Sequence, residues 1–349
     1  MAARKNSTLC TYGILLTLTF CYSAMATHPS SQAIKGAYFP SGVNFAPSSI
    51  NTKLFTHIYY AFLIPNNVTF KFEIEHTEAL LLVNFTSTLH AKKPPVKTLF
   101  SVGGGATYGL PLFSHLASDS WSRSNFIHSS IEVARNFGFD GVDLDWEYPQ
   151  NPQDMVNLAV LLKEWRVEVE KEAAATGRPP LLLSAAVYYS ADMWDSSATG
   201  AHAALFDPTS NVSTSYGLGS WIRSGVPRSK LIMGLPLYGK SWQLKDPTSH
   251  GIGAPAIGVG PSPDGSGEWT FAEVVKFNRD NKSKVVYDST TVSMYSVAGT
   301  TWIDYDDTTS VKVKIGYARE LGLGGYFFWA VNEDYNWRIS QRASDLWSL

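Results

Sequence analysis

The chain has 349 residues, 13% of them aromatic, and a formal net charge of −2. A length of this kind suits one large α/β barrel with an elaboration, or two ordinary domains. The nearly neutral, slightly acidic composition argues against nucleic acid or an anionic membrane as a partner.

The first 26 residues have the features of a secretory signal peptide. Arg4 and Lys5 precede an apolar run, Tyr12–Cys21, that is too short to cross a bilayer, and small residues follow at Ala24-Met25-Ala26. An N-terminal anchor or a buried helix is the alternative interpretation. Cleavage would give a secreted protein, expected outside the cell or in the cell wall, with the vacuole as an alternative.

Removal of residues 1–26 would leave 323 residues without cysteine, because Cys10 and Cys21 both lie in this segment. A chain of this length tolerates the lack of disulfides, since it buries enough apolar surface without them. The formal charge would become −4, because two basic and no acidic residues are lost. In a secretory context, four Asn-x-Ser/Thr sequons are candidate glycan acceptors: Asn67, Asn84, Asn211 and Asn281.

Short β-rich runs alternate with helical patterns along the rest of the chain. Strands are predicted at Ile34–Phe39, Thr56–Leu63, Val96–Val102, Gly138–Asp145, Leu181–Tyr188, Lys230–Leu237 and Leu323–Ala330. The helical patterns are clearest at Trp121–Phe137 and Met155–Thr176, where apolar residues recur every three or four positions. Buried strands separated by helices indicate a parallel sheet, and this many units favour a (β/α)8 TIM barrel over a doubly wound sheet.

The fourth predicted strand carries a row of acidic residues. Asp143, Asp145 and Glu147 are two residues apart, so they share one side of the strand and step toward its carboxyl end, where barrel enzymes have their active sites. Crowding and burial should keep at least one of them protonated near neutral pH, as a general acid requires. A solvated acidic loop is the alternative, but the apolar residues that alternate with the acids argue against it.

This stretch and four other motifs resemble glycoside hydrolase family 18, and within it the plant class V chitinases. The pattern Asp-x-x-Asp-x-Asp-x-Glu is complete from Asp140 to Glu147. The other matches are Tyr59-Tyr60-Ala61-Phe62 to the second strand, Ser101-Val102-Gly103-Gly104-Gly105 to the third, Gly234-Leu235-Pro236-Leu237-Tyr238-Gly239 to the seventh, and Gly324-Gly325-Tyr326-Phe327-Phe328-Trp329 to the eighth.

The resemblance also implies a domain organisation. A catalytic TIM barrel is expected over residues 27–241 and 304–349. The stretch from Trp242 to about Trp302 is similar to a small α+β insertion between strands seven and eight, expected over residues 242–303.

The resemblance implies retaining, substrate-assisted hydrolysis of β-1,4-linked N-acetylglucosamine polymers or oligomers. Chitin is the default substrate, and lipo-chitooligosaccharides are a narrower one. Glu147 would protonate the glycosidic oxygen, and the acetamido oxygen of the substrate would attack the sugar. Asp145 would orient that acetamido group, Asp143 would tune the charge of Asp145, and Asp140 would be structural.

Aromatic residues complete the expected subsite −1. Trp329 would form the floor under the sugar, and the other substrate-binding residues expected are Tyr38, Phe62, Tyr238 and Tyr148. For each of them alone, core packing is the alternative. No metal site or cofactor is expected, because the histidines are scattered and the proposed hydrolysis needs none. The expected partner is a chitin-type substrate, and the protein is expected to be a monomer.

The sequence lacks a recognisable sixth barrel strand. Strand five begins near Leu181 and strand seven near Lys230, so two βα units share about 50 residues where about 60 are needed. The segment between them, Ser190–Ser220, contains no convincing apolar strand and no Met-x-Tyr-Asp pattern, whose Tyr binds the acetamido oxygen in the family. The flanking strands would then have unpaired edges, unless they close on each other or the Ala-rich piece substitutes.

Several explanations and two functional classes therefore stay open. The gap could come from a splice or gene-model deletion, from a truncated paralogue, or from a misassigned segment. The intact acidic residues favour an enzyme, whereas the missing strand favours a chitin-binding lectin with weak or no catalysis. A product that folds poorly is the third alternative.

Overall fold

The computed structural model describes residues 33–107, 110–187 and 196–349. The first two ranges contain β1 (Ile34–Pro40), β2 (His57–Leu63), α1 (His76–Ala91), β3 (Lys97–Gly103), α2 (Leu112–Ser118), α3 (Ser120–Asn136), β4 (Gly141–Asp145), α4 (Pro152–Thr176) and β5 (Leu182–Ala186). The third contains α5 (Thr214–Arg223), β6 (Ile232–Pro236), β7 (Tyr238–Leu244), β8 (Ala256–Val259), β9 (Glu268–Thr270), α6 (Phe271–Asn281), β10 (Lys284–Asp288), β11 (Ser293–Ala298), β12 (Thr301–Tyr305), α7 (Thr308–Glu320), β13 (Gly325–Trp329) and α8 (Arg338–Ser348).

Seven strands form one parallel sheet in the order β5-β4-β3-β2-β1-β13-β6. Every neighbouring pair in this sheet is parallel. The seven strands that the sequence predicts are thereby confirmed, and the alternation of parallel strands with helices is that of a TIM barrel. Tyr188, the last residue of the fifth predicted strand, lies outside the described residues.

The sheet is open on one side. β5 and β6 are its two edges, and no described strand pairs with either of them across the opening. A TIM barrel closes with eight strands, and the described residues supply seven, of which β6 and β13 hold the seventh and eighth positions. Residues 188–195, which include the start of the segment Ser190–Ser220, lie outside the described residues. The predicted lack of a sixth strand is therefore confirmed for the described residues, in which neither β5–β6 pairing nor the Ala-rich piece fills the gap.

Helix α5, which the sequence did not predict, follows this gap in the chain. The side chain of Ser213 accepts a hydrogen bond from the backbone N–H of Tyr216 and so caps the first turn. Gly217 and Gly219 lie in the middle of the helix and lower its intrinsic propensity. The helix therefore depends on packing, which the local sequence pattern does not reveal.

Helix α4 begins three residues before the predicted Met155 because of its cap. Asn151 accepts a hydrogen bond from the backbone of Asp154, and Pro152 occupies the first helical position, where a missing N–H has no cost. At the other end, Gly177 adopts a left-handed conformation with φ of 69°. The predicted end of the helix is confirmed.

The chain between β6 and β13 forms a second sheet, which is antiparallel. Its order is β10-β11-β12-β7-β8, and β9 pairs with β7. Trp302 packs edge-on against Trp242 and stacks on Tyr295, with ring centroids 5.2 Å and 5.1 Å apart. This sheet is the α+β insertion that the resemblance implies, and the domain boundaries at residues 242 and 303 stay a prediction.

Two further observations concern the surface and the N-terminus. All four sequon asparagines are exposed. In the part of the chain that the structure describes, no helix is long and apolar enough to cross a membrane. The predicted signal peptide, residues 1–26, lies outside the described residues.

Candidate active site

Strand β4 brings the acidic row into register with its two neighbours. Asp143 is level with Ser101 of β3 and Ser184 of β5. Asp145, two residues further on, is level with Gly103 and Ala186. Both aspartates are buried, but the neighbouring strands supply hydroxyl groups only beside Asp143, because Gly103 and Ala186 have no polar side chain.

Three hydroxyl groups surround the Asp143 carboxyl. Tyr38 donates to Oδ2 at 2.8 Å, Ser101 donates to Oδ2 at 2.7 Å, and Ser184 donates to Oδ1 at 2.6 Å. Burial raises the pKa of Asp143 above its usual range, and these three hydrogen bonds oppose the rise. An ionised Asp143 can therefore be stabilised without a positive counter-ion.

The other two carboxyl groups of the row also favour the protonated form. Burial, reinforced by the negative charges of Asp143 and Glu147, raises the pKa of Asp145 to about 8. Burial also raises the pKa of Glu147, while a hydrogen bond from Tyr148 opposes the rise. The row thus retains a proton near neutral pH, in line with the expectation from crowding.

Glycines allow the backbone of β3 to approach the site closely. Gly103 and Gly104 have φ angles of 111° and 76°. A Cβ atom on Gly103 would lie 2.3 Å from the carbonyl oxygen of Asp145, and one on Gly104 would lie 2.3 Å from the ring of Phe62. The Ser-x-Gly-Gly motif therefore has a steric reason at each glycine.

Three of the other four predicted aromatic residues pack against Trp329 or share a cavity with it. Phe62 stacks on Trp329 with centroids 5.6 Å apart and an interplanar angle of 14°. Tyr38 packs against Trp329 at 5.4 Å, and Tyr238 lines the same cavity as Trp329. Tyr238 belongs to β7 of the antiparallel sheet, although its sequence motif begins in the barrel strand β6. Tyr148, the fifth, contacts Glu147 instead.

Asp140 lies apart from the other acids, just before the start of β4. It accepts hydrogen bonds from Lys97 at 2.7 Å, from the backbone N–H of Thr98 at 2.9 Å, and pairs with His90 at 2.9 Å. Burial tends to raise its pKa, but these interactions outweigh burial and hold the pKa below its usual range. Such contacts are those of a residue that ties β3, β4 and α1 together.

A cavity of about 420 Å³ lies at the opening of the barrel, and we call it the gap cavity. Both edge strands line it. β5 and the residue after it contribute Ser184–Val187, and β6 and the two residues before it contribute Lys230–Pro236. The inner wall includes Tyr38, Asp143 and Trp329. The outer wall is α5, through Gly217, Leu218 and Trp221. The gap cavity therefore borders the acidic and aromatic cluster on the side where no described strand stands between β5 and β6.

One polar residue of the gap cavity was missed by sequence reasoning. His202 lines the cavity with a side chain that is 7% exposed, and its Nδ1 lies 2.5 Å from Oδ2 of Asp304. The backbone N–H of His202 donates to the same oxygen at 2.8 Å, whereas Nε2 is buried without a hydrogen-bond partner. The two residues are 102 positions apart, so no local spacing in the sequence could have linked them.

A second buried pair holds the same segment. Lys314 and Asp306 have side chains that are 1% exposed, with Nζ 2.6 Å from Oδ2. Lys314 also donates to the carbonyl oxygen of Ala203 at 2.6 Å. The segment with His202 and Ala203 is thus held in place by Asp304 of β12 and by Lys314 of α7. Asp306, just after β12, pairs with Lys314.

Comparison with known proteins gives consistent results. The family model described as glycosyl hydrolases family 18 matches residues 19–198 and 187–334. Nod factor hydrolase protein 1 of Medicago truncatula is 46% identical over 353 residues, which cover 91% of this chain and 91% of that protein. The two matched stretches of the family model overlap at residues 187–198.

Solved structures resemble this chain over almost their whole length. A class V chitinase mutant from Nicotiana tobaccum, crystallised in complex with NAG4, has a TM-score of 0.86 and 37% identity, with 91% of this chain and 99% of that chain covered. A chitinase-like agglutinin from Robinia pseudoacacia has a TM-score of 0.82 and 40% identity, with 90% and 100% covered.

Proposed function

The chain belongs to family 18 of the glycosyl hydrolases, and we propose that it hydrolyses β-1,4 bonds between N-acetylglucosamine residues of chitin or chitooligosaccharides. The observation that carries the proposal is the row of three carboxyl groups at the carboxyl end of β4 and just beyond it. Burial raises the pKa values of all three, which are Asp143, Asp145 and Glu147. The likeness to a chitinase crystallised with NAG4 supports this substrate class. Lipo-chitooligosaccharides are the narrower alternative, and the likeness to a Nod factor hydrolase is a reason to test them.

In the first chemical step, Glu147 gives its proton to the glycosidic oxygen. The acetamido oxygen of the same sugar attacks the anomeric carbon, the bond from that carbon to the glycosidic oxygen breaks, and an oxazolinium ion forms. The leaving sugar departs with the proton. Burial raises the pKa of Glu147 above its usual range, and this direction supports the role because it favours the protonated form that a general acid needs.

In the second step, water attacks the anomeric carbon and gives a proton to the Glu147 carboxylate. The bond between the anomeric carbon and the acyl oxygen breaks, so the acetamido group is restored. Two successive displacements at one carbon return it to the β configuration. The proposed reaction is therefore retaining.

Asp145 and Asp143 handle the charge that develops on the acetamido group. Asp145 orients this group by accepting a hydrogen bond from its N–H, and the positive charge of the oxazolinium ion favours an ionised Asp145. Asp143 takes up the shared proton or charge, a role supported by its three hydroxyl partners. The two aspartates titrate as a pair.

Trp329 forms the floor beneath the sugar in subsite −1. Its stacking with Phe62 and its contact with Tyr38 support a fixed ring orientation. Tyr238 borders the sugar from the side of the antiparallel sheet, and Tyr148 adjusts the Glu147 carboxyl by its hydrogen bond.

No described strand occupies the position of the family's sixth strand, whose Tyr binds the acetamido oxygen in the family. Loss of such a donor would cost about 2–4 kcal/mol of transition-state stabilisation. We propose that His202 in its protonated form offsets part of this loss, because its side chain lines the gap cavity, Asp304 holds its Nδ1, and its Nε2 has no hydrogen-bond partner. The proposed site is therefore expected to stabilise the transition state less well on this side.

A chitin-binding lectin is the second candidate function. The missing strand and the likeness to a chitinase-like agglutinin favour it. Parallel measurements of tetramer binding by calorimetry and of tetramer cleavage by chromatography separate the two functions. Cleavage by the wild-type protein supports the enzyme, whereas binding without cleavage in a folded sample supports the lectin.

We also propose that the chain is secreted as a monomeric glycoprotein after cleavage at residue 26. The exposure of all four sequon asparagines is compatible with glycosylation. Mass spectrometry of the protein from a eukaryotic host tests both points, through the mature N-terminus and through glycopeptides. A retained leader or unmodified sequons would contradict the corresponding part.

A further inference from the structure

We propose that the gap cavity extends the acyl pocket of the site, so that the protein accepts N-acyl groups longer than acetyl on the sugar whose bond is cleaved. This inference rests on the proposed function, because it concerns the group that Asp145 would orient. It adds a substrate class, N-acylglucosamine oligomers with longer acyl chains.

The cavity and the catalytic cluster share their walls. Tyr38 and Asp143, which are hydrogen-bonded to each other at 2.8 Å, both line the gap cavity, and so does Trp329. The cavity therefore begins at the cluster that would hold the sugar, and a group that leaves subsite −1 on this side enters it directly.

Strand register places little bulk between the acyl position and the cavity. Ser184 points toward Asp143, so Ala186, two residues later, faces the same side and is level with Asp145. Across the opening, Gly234 of β6 has no side chain, and the ring of Phe327, which also lines the gap cavity, packs against it. The described sheet ends at β5, and Asp143, two residues before Asp145 on the same side of β4, lines the cavity there.

The lining suits an apolar chain. Alanines at positions 185, 186, 201, 203 and 204 and the side chains of Leu218, Met233 and Leu235 contribute to it. The main polar groups of the inner wall satisfy each other, through the bond between Tyr38 and Asp143. A volume of about 420 Å³ lies within the range of small-molecule sites, about 300–1,000 Å³.

The test uses 4-nitrophenyl chitobiosides that differ only in the acyl group of the sugar bonded to the phenol: acetyl, propionyl, butyryl or hexanoyl. We expect kcat/KM of the wild-type protein to rise about 4-fold for each methylene from acetyl to butyryl, because each methylene leaves water for the cavity. Propionyl and butyryl substrates cleaved at least about 10-fold more slowly than acetyl would overturn the proposal, since this is the scale of steric rejection by a closed pocket.

A variant in the outer wall locates the effect. Leu218→Phe narrows the cavity at α5, so it should reduce kcat/KM for the hexanoyl substrate and leave the acetyl substrate unchanged. Ile222→Phe, a matched change on the same helix outside the cavity lining, should affect neither. If both variants reduce kcat/KM for the hexanoyl substrate equally, the acyl chain does not reach α5.

Binding to Glu147→Gln separates this inference from the proposed function. If the acetyl substrate is not cleaved, the proposed function fails, and calorimetry then compares acetyl and butyryl compounds. Tighter binding of the butyryl compound would still support the extended pocket, and weaker binding would overturn it.

Discussion

The hydroxyl of Tyr38 donates a 2.8 Å hydrogen bond to Asp143, from a position 105 residues earlier in the chain. Tyr38 belongs to β1 and Asp143 to β4, and two strands separate these in the sheet. The bond therefore crosses the interior of the barrel, and it connects the aromatic floor around Trp329 with the acidic row.

Tyr38→Phe tests this connection. The variant removes one of three donors to Asp143 and leaves the ring, so the protein should fold while kcat falls about 10- to 100-fold, the equivalent of about 1.5–3 kcal/mol for a hydrogen bond to a charged group. Tyr60→Phe is the control, because it removes the hydroxyl of another buried tyrosine that lies outside this cluster. An unchanged kcat in Tyr38→Phe would show that the bond does not influence the reaction.

Asp145 should make the protein less stable at alkaline pH. Its pKa is about 8 in the folded state, against 3.8 for an unperturbed aspartate, so the folded protein binds the proton more tightly than the unfolded chain does. The stabilising contribution is complete below about pH 4 and is lost as pH rises through about 8. Asp145→Asn should therefore raise the free energy of unfolding at pH 9 by about 2–5 kcal/mol.

Urea unfolding at pH 5 and pH 9 measures this effect. The difference between the two pH values should be smaller in Asp145→Asn than in the wild-type protein. If the variant is less stable than the wild type at pH 9, burial and the acidic neighbours do not raise the pKa of Asp145.

The buried pair of Lys314 and Asp306 should contribute strongly to folding. Lys314→Met leaves the Asp306 carboxyl buried without its partner, which should lower the free energy of unfolding by about 3–5 kcal/mol. Lys276→Met, which breaks the exposed pair with Asp280, should change it by about 1 kcal/mol or less. Urea unfolding measures both losses. If the two variants lose similar free energies of unfolding, the buried pair contributes no more to folding than the exposed pair.

Two substitutions of His202 separate positioning from stability. Asn can keep a donor near Nδ1 for Asp304 but has no atom near Nε2, whereas Gln can place an amide near Nε2. We expect His202→Asn to stay stable and lose about 2- to 10-fold in kcat/KM, as for one neutral hydrogen bond. His202→Gln should be less stable but retain more of kcat/KM. If both variants lose activity only in proportion to their stability, His202 has a structural role alone.

The barrel could be predicted because its signals are local. Buried strands, helical periodicity and the Asp140–Glu147 pattern each occupy a short stretch, and the shortage of chain between Leu181 and Lys230 predicted the missing strand. The seven strands are confirmed, and so is the opening between β5 and β6 in the described residues.

The remaining features depend on contacts between distant parts of the chain. His202 and Asp304 meet only when the segment after the gap packs on the antiparallel sheet. Helix α5 contains two glycines and depends on the same packing, and the gap cavity exists only because two strands distant in sequence become edges. None of these leaves a periodicity or spacing that a sequence pattern can detect.

Hydrolysis of N-acetylglucosamine oligomers with retention is the central activity that we propose for this protein. Proton NMR of the tetramer during cleavage is the decisive measurement, because it follows both turnover and the anomeric form of the first product. We expect cleavage with the β anomer formed first, and no cleavage by a folded Glu147→Gln variant. A folded wild-type protein that leaves the tetramer intact, or one that releases the α anomer first, would refute the proposed activity.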